Sequence, residues 1–195
     1  MNFPQINTSK IFNMLPVQSL ESDVEGEFNH FFREMLGSEC IHKKKIGKGT
    51  PDAIIDFYNE KNKSVWGIIE YKRDKSKKSL EKAFAQQLLY VCNFYYDVNI
   101  RGFNNFAGIF IISKDYFVYI RRIDLIGVLN KFEYLWKKHF RQTPCDAYDD
   151  CPDIRAFVWE ELPELLEKSI VIGRDDDNAR LDVLIKGIYE EWNLL

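Results

Sequence analysis

Two short apolar runs stand close together in the first half of the chain, Ala53-Ile54-Ile55-Asp56-Phe57-Tyr58 and Val65-Trp66-Gly67-Ile68-Ile69-Glu70-Tyr71. Both are rich in the β-branched and aromatic residues that suit a pleated surface, and each predicts a strand. The polar linker Asn59-Glu60-Lys61-Asn62-Lys63 predicts an antiparallel hairpin centred on Lys61. That register sets Tyr58 opposite Ser64, Asp56 opposite Trp66, Ile54 opposite Ile68 and Asp52 opposite Glu70. Upstream, Val24, Phe28, Phe31, Phe32 and Met35 recur at helical spacing, with a capping box at Ser22-Asp23-Val24-Glu25 and Gly37 as a stop, which predicts a helix over 22–36. Downstream, Ser79 is the expected N-cap of a helix reaching Tyr96, whose apolar face carries Ala83, Gln86 or Gln87, Leu89 or Tyr90, and Phe94. The almost uniformly apolar run Phe106–Ile112 predicts a strand buried on both faces, and Ser113-Lys114-Asp115 turns into another strand at Tyr116–Ile120. A sheet of at least four strands follows. Helical patterns then cover Asp124 to Phe140, ended by Pro144; Asp153 to about Ser169, interrupted at Pro163; and roughly Asp176 to Trp192.

The hairpin concentrates charge at one end. Side chains alternate along a strand, so Glu70 and Lys72 share a face, and Asp52, opposite Glu70, joins them. Two carboxylates held together repel unless a proton or a divalent cation lies between them, and all-oxygen ligands suit Mg²⁺ or Mn²⁺. A neighbouring ammonium steadies negative charge on a phosphoryl group or orients a water. A bare Glu-x-Lys triplet on an exposed hairpin would be an ordinary solvated pair; here the Pro-Asp opening, the apolar runs and the shared register set it apart.

Pro51-Asp52, seventeen intervening residues and Glu70-Tyr71-Lys72 resemble the motif of the PD-(D/E)XK nuclease superfamily. Ala83, Gln86 and Tyr90 resemble the Gln-x-x-x-Tyr motif that follows the catalytic strand in nuclease domains of type I, type ISP and some type IIG restriction enzymes. The resemblance covers roughly residues 20 to 125. It implies a restriction-endonuclease-like central mixed sheet flanked by helices, and a Mg²⁺-dependent (or Mn²⁺-dependent) endonuclease acting on DNA in a restriction-modification system. It implies Asp52, Glu70, Lys72 and Gln86 as catalytic residues, with Tyr90 in support and Asp52 and Glu70 as metal ligands. It also implies a Glu on the first helix facing the metal; among Glu21, Glu25 and Glu27, Glu25 is the expected one, since Glu21 falls before the predicted helix start. Methyltransferase, helicase or specificity domains, in the same or another chain, are the partners such domains have. The alternative is a nucleic-acid-binding or structural domain that keeps the fold without turnover.

Composition adds a compartment and a charge map. With 195 residues, 46% of them apolar, the chain can bury a sizeable core. No run approaches the ~20 apolar residues of a membrane span, and the start lacks the pattern of a signal peptide, so a cytoplasmic protein is expected. Cys40, Cys92, Cys145 and Cys151 lack zinc spacing, even with His139 nearby, and read as free thiols. The net charge of −3 conceals a division: residues 40–141 hold 20 Lys/Arg against 10 Asp/Glu, and residues 142–195 hold 5 against 14. The expected organisation is a lead-in at 1–21, a nuclease core at 22–141 and an acidic helical extension or connector at 142–195. Lys43, Lys44, Lys45 and Lys48 before the hairpin, and Arg73 and Lys75 after it, are the expected DNA contacts.

Overall fold

The computed structural model of the chain describes residues 15, 19–36, 40–43, 46, 49–59, 61–73, 76–96, 105–174 and 186–193. Its centre is a six-stranded mixed sheet with strand order β1-β2-β3-β4-β5-β6: β1 Ile41–His42, β2 Ala53–Tyr58, β3 Ser64–Lys72, β4 Phe106–Ser113, β5 Tyr116–Arg121 and β6 Ile170–Gly173. Only the β3–β4 pair is parallel. Helices α1 Glu21–Leu36, α2 Lys77–Tyr96, α3 Arg122–His139, α4 Pro144–Asp150 and α5 Pro152–Lys168 flank the sheet.

The hairpin forms in the expected register, with Tyr58 paired to Ser64, Asp56 to Trp66 and Ile54 to Ile68. Its turn is organised by Asn59, whose side-chain oxygen accepts the N–H groups of Lys61 and Lys63, each at 3.0 Å. Asn62 then takes the left-handed conformation at φ 57° that Asn tolerates better than most residues.

Alternation along the strands divides the buried side chains into two cores. Ile54, Ile68, Ile109, Ile111, Val118 and Ile120 face α2, α3 and α5. Ala53, Ile55, Ile69, Tyr71, Phe110, Ile112 and Phe117 face α1, through Val24, Phe28, Phe31 and Phe32. Gln87, fully buried on α2, donates to the backbone carbonyls of Phe110 (3.2 Å) and Ile68 (3.5 Å) and so ties the helix across the parallel pair.

Several boundaries differ from those the sequence predicts. The first helix starts at Glu21, because Asp23 rather than Ser22 closes its N-terminus: Asp23 Oδ2 accepts the Leu20 N–H at 2.7 Å. The second helix starts at Lys77 and is capped by Ser76 Oγ, which accepts the Ser79 N–H at 3.1 Å, rather than by Ser79. The third begins at Arg122, and Pro144 opens a new helix instead of only ending the old one. Pro163 does not interrupt α5, which runs through it to Lys168. Residues 142–195, expected to be helical, supply β6 and place Leu162 and Leu165 in one core and Ile172 and Trp192 in the other. Trp192 belongs to the helical residues 186–193 and donates its indole N–H to Tyr119 Oη at 2.9 Å. No helix of the described residues is long and apolar enough to cross a membrane.

Candidate active site

The β2–β3 ladder ends at Ala53 and Ile69, and one residue beyond it the Asp52 side chain replaces the backbone. Its Oδ2 accepts the Tyr71 N–H at 2.8 Å. Buried Pro51 fixes the entry of the chain at this point. Asp52 is thereby tied to the strand that carries Glu70 and Lys72, while Tyr71 between them points to the opposite core and donates its hydroxyl to Asn29 Oδ1 of α1 at 2.8 Å.

Glu70 is 2% exposed, flanked in the sheet by Ile111 of β4. Lys72 Nζ lies 2.7 Å from Glu70 Oε1. The other carboxylate oxygen, Oε2, is buried and has no hydrogen-bond partner among the described residues. Burial pushes the Glu70 carboxyl from an ordinary 4.5 up to about 7, Asp52 and Glu21 push the same way, and Lys72 only partly opposes them. Burial also raises the Asp52 carboxyl, against the Tyr71 N–H and Lys72. Burial works to lower the Lys72 ammonium, yet Glu70, Asp52 and Glu21 outweigh it and hold Lys72 above its ordinary value. Lys72 thus lies in the field of three carboxylates, of which Glu70 is buried, Asp52 half-buried and Glu21 exposed.

The third of these carboxylates is Glu21. Because the helix starts one residue before its predicted cap, Glu21 is its first residue and lies within electrostatic reach of Lys72, Asp52 and Glu70. Desolvation raises its carboxyl, opposed by Lys72 and the Arg73 N–H. Glu25, the expected residue, is instead paired with Lys43 at 2.8 Å and reaches Asp52 only through its field. The signal was present, since Glu21 lies nearer than Glu25 to the centre of the apolar stripe; the misplaced cap hid it. Glu27 is half-buried on the same helix and is no cause of the shifts at Asp52 or Glu70.

Gln86 and Tyr90 are both buried on α2. Tyr90 sits within the fields of Glu70 and Asp52, and burial, then these two carboxylates, push its hydroxyl well up. A side chain at Gly49 would meet its ring at 2.8 Å and its hydroxyl at 2.9 Å, so glycine lets the backbone at this position lie directly on Tyr90. Cys145, at the start of α4, is a further neighbour that the sequence did not single out, felt by both Tyr90 and Glu70. Lys43 and Arg73 are exposed beside the site, whereas Lys44, Lys45, Lys48 and Lys75 lie outside the described residues.

No family model, curated protein or solved structure matches the chain. Its chemistry is read from these side chains alone. Among the described residues no three His, Cys, Asp or Glu side chains close into a metal-holding group. The site nevertheless fits a divalent cation bound at few protein ligands: Glu70 Oε2 is buried without a hydrogen-bond partner among the described residues, and the Asp52 and Glu21 carboxylates lie within electrostatic reach of it. Mg²⁺ commonly takes one or two carboxylates and completes its shell with water and phosphate oxygens.

Proposed function

We propose that this chain is a Mg²⁺-dependent deoxyribonuclease module with a restriction-endonuclease-like fold, serving a restriction-modification system. The observation that carries the reading is the buried Glu70, with one oxygen on Lys72 and the other without a hydrogen-bond partner among the described residues, beside Asp52 at a strand end. Asp52 and Glu70 would hold Mg²⁺ (Mn²⁺ in its place), with Glu21 in reach of the same charge. When bound, such an ion supplies Lewis-acid polarisation of the phosphodiester and a more acidic water.

The remaining work falls to the chain. Lys72, charged and held in place by Glu70, offsets negative charge growing on the phosphoryl oxygens. Burial raises the Glu70 carboxyl, so Glu70 gives up its proton to take the ion, and ion binding strengthens as pH rises. Tyr90, in the fields of Glu70 and Asp52, and Gln86 one turn before it on α2 would serve as positioning residues, and exposed Lys43 and Arg73 would meet a polyanion. The decisive experiment is a cleavage assay on single- and double-stranded DNA with Mg²⁺, Mn²⁺ or EDTA. Cleavage dependent on the metal and lost in Asp52→Ala supports the reading, while metal binding without cleavage points to the binding-domain alternative.

Two further results are expected. DNA affinity measured in Ca²⁺ should fall steeply with salt, and Lys43→Ala and Arg73→Ala should each reduce the slope of log K against log salt by about 1 without changing sequence preference. An affinity indifferent to salt would contradict it. Second, Glu21→Ala should lower kcat/KM about tenfold or more through the transition-state charge balance, whereas Glu25→Ala, which breaks a half-exposed ion pair with Lys43, should change it only a few-fold. Side-by-side kinetics of the two variants decide which glutamate serves the site, and a larger loss in Glu25→Ala would reverse the assignment.

A further inference from the structure

A second constellation lies at the junction of α3, α4 and α5. Cys151 Sγ is 3.4 Å from His139 Nδ1, and His139 Nε2 is 2.9 Å from Asp153 Oδ2, which Lys138 Nζ also meets at 2.8 Å. A carboxylate only accepts, so the neutral imidazole keeps its proton on Nε2 and presents the Nδ1 lone pair to the thiol. Nucleophile, base and a group orienting the base are thus in sequence. The arrangement does not suit a metal, because the two imidazole nitrogens face different partners and no one ion can take sulfur, imidazole and carboxylate together.

The helices favour charge separation along this line. Cys151 is the N-cap of α5, a helix of 17 residues, and makes no side-chain capping hydrogen bond there, so its sulfur is left to His139; it is also the C-cap of the seven-residue α4, whose shorter dipole opposes that of α5. His139 is the last residue of α3, where a cation is favoured by the negative end. The longer helix α5 favours a thiolate at the first position, and the end of α3 favours a cation at the second.

We propose that Cys151 is a nucleophilic thiol, deprotonated by His139 and oxidised by small hydroperoxides. The residue is 5% exposed, which favours a small oxidant over a bulky electrophile. The sulfur attacks one peroxide oxygen, an S–O bond forms and the O–O bond breaks. Sulfur gives up two electrons and the peroxide is reduced; the departing hydroxide or alkoxide takes the proton held by His139, leaving neutral imidazole and a sulfenic acid. Burial, then Asp153 of α5 and Asp150 of α4, push the Cys151 thiol up, and Lys138 of α3 draws it down. The thiolate therefore depends on its proton passing to His139, and its reactivity must vanish with that residue. Cys145 lies six positions back, about 9 Å along α4 at 1.5 Å per residue, too far for a disulfide without rearrangement. The product remains a sulfenic acid.

The exposed Cys145 is a built-in comparison. The intact chain is treated with limiting hydrogen peroxide at neutral pH, quenched with catalase and unfolded in an alkylating agent, and the loss of free thiol at each cysteine is followed by peptide mass spectrometry. Cys151 should be oxidised about tenfold faster than Cys145 despite its burial, and His139→Gln should abolish that lead while leaving Cys145 unchanged. Faster oxidation at Cys145 in the parent, or a Cys151 rate unmoved in folded His139→Gln, overturns the proposal. Should His139→Gln fail to fold by circular dichroism, Asp153→Asn takes its place with the same expectation, and the order of the two cysteines in the parent still decides.

Discussion

Lys72→Ala is expected to lower Mg²⁺-dependent DNA cleavage by roughly 10²- to 10³-fold, the scale of removing one preorganised charge-stabilising group, while Mg²⁺ binding survives. The reason lies in the different uses of the charges at the strand end. The ammonium 2.7 Å from Glu70 Oε1 cannot be a ligand, since it has only donors, so its removal leaves Asp52 and Glu70 free to hold the ion. Asp52→Ala and Glu70→Ala should lose cleavage and ion binding together. Lys72→Ala also strands a buried carboxylate, which by analogy with broken buried pairs costs about 3–5 kcal/mol in the metal-free protein. Cleavage is therefore compared at saturating Mg²⁺, with circular dichroism confirming that each variant is folded, and Mg²⁺ titration calorimetry separates binding from turnover. A folded Lys72→Ala protein that cuts at the parental rate would falsify the catalytic assignment.

The second large effect is on stability. The Glu70 carboxyl is raised in the folded state from 4.5 to about 7, so the native protein holds this proton more tightly than the unfolded chain does. Below the unfolded value both states are protonated and Glu70 has no net effect. As pH climbs from about 4.5 to about 7 the unfolded state ionises first, and stability falls; above that window the full penalty is present. At 1.36 kcal/mol per unit the penalty is on the order of 3 kcal/mol. A bound divalent cation would offset it, so Mg²⁺ should raise Tm far more at pH 8 than at pH 5. Glu70→Gln should flatten the pH dependence and remove most of the Mg²⁺ effect. Equal Mg²⁺ stabilisation at both pH values would show that the ion binds elsewhere.

The hairpin was legible because its information is local. Alternating apolar residues on either side of Asn59–Lys63 admit one register that buries both strands, and a slip of one residue would turn Ile54 and Ile68 out of their core. That register brings Asp52 and Glu70 to the same end of the pair, so the centre of the site could be read from residue order. The buried strand at Phe106–Ser113 and the apolar stripe of α1 were likewise carried by composition and period.

Other features depend on contacts between distant parts of the chain. The four residues of β6 are too few to show a period, and they become a strand only because the edge of β5 offers Tyr116–Tyr119 as partners. Gln86 and Gln87 are adjacent and chemically identical, and only the packing of α2 across β3 and β4 spends the amide of Gln87 on backbone carbonyls. Cys151 and His139 lie apart in sequence and meet because α3 ends where α5 begins. Glu21 shows the boundary between the two kinds of information. Its place on the apolar stripe was visible in the sequence, but the start of its helix was set by the Asp23 hydrogen bond to Leu20, and its approach to Lys72 by the docking of α1 on the sheet. The sequence by itself determined strand faces, hairpin register and the Asp52–Glu70–Lys72 grouping, since these follow from short-range alternation. The tertiary structure decided which helix-borne groups complete that grouping and how its charge is balanced, because burial and electrostatic field arise only when distant segments exclude water from the same place.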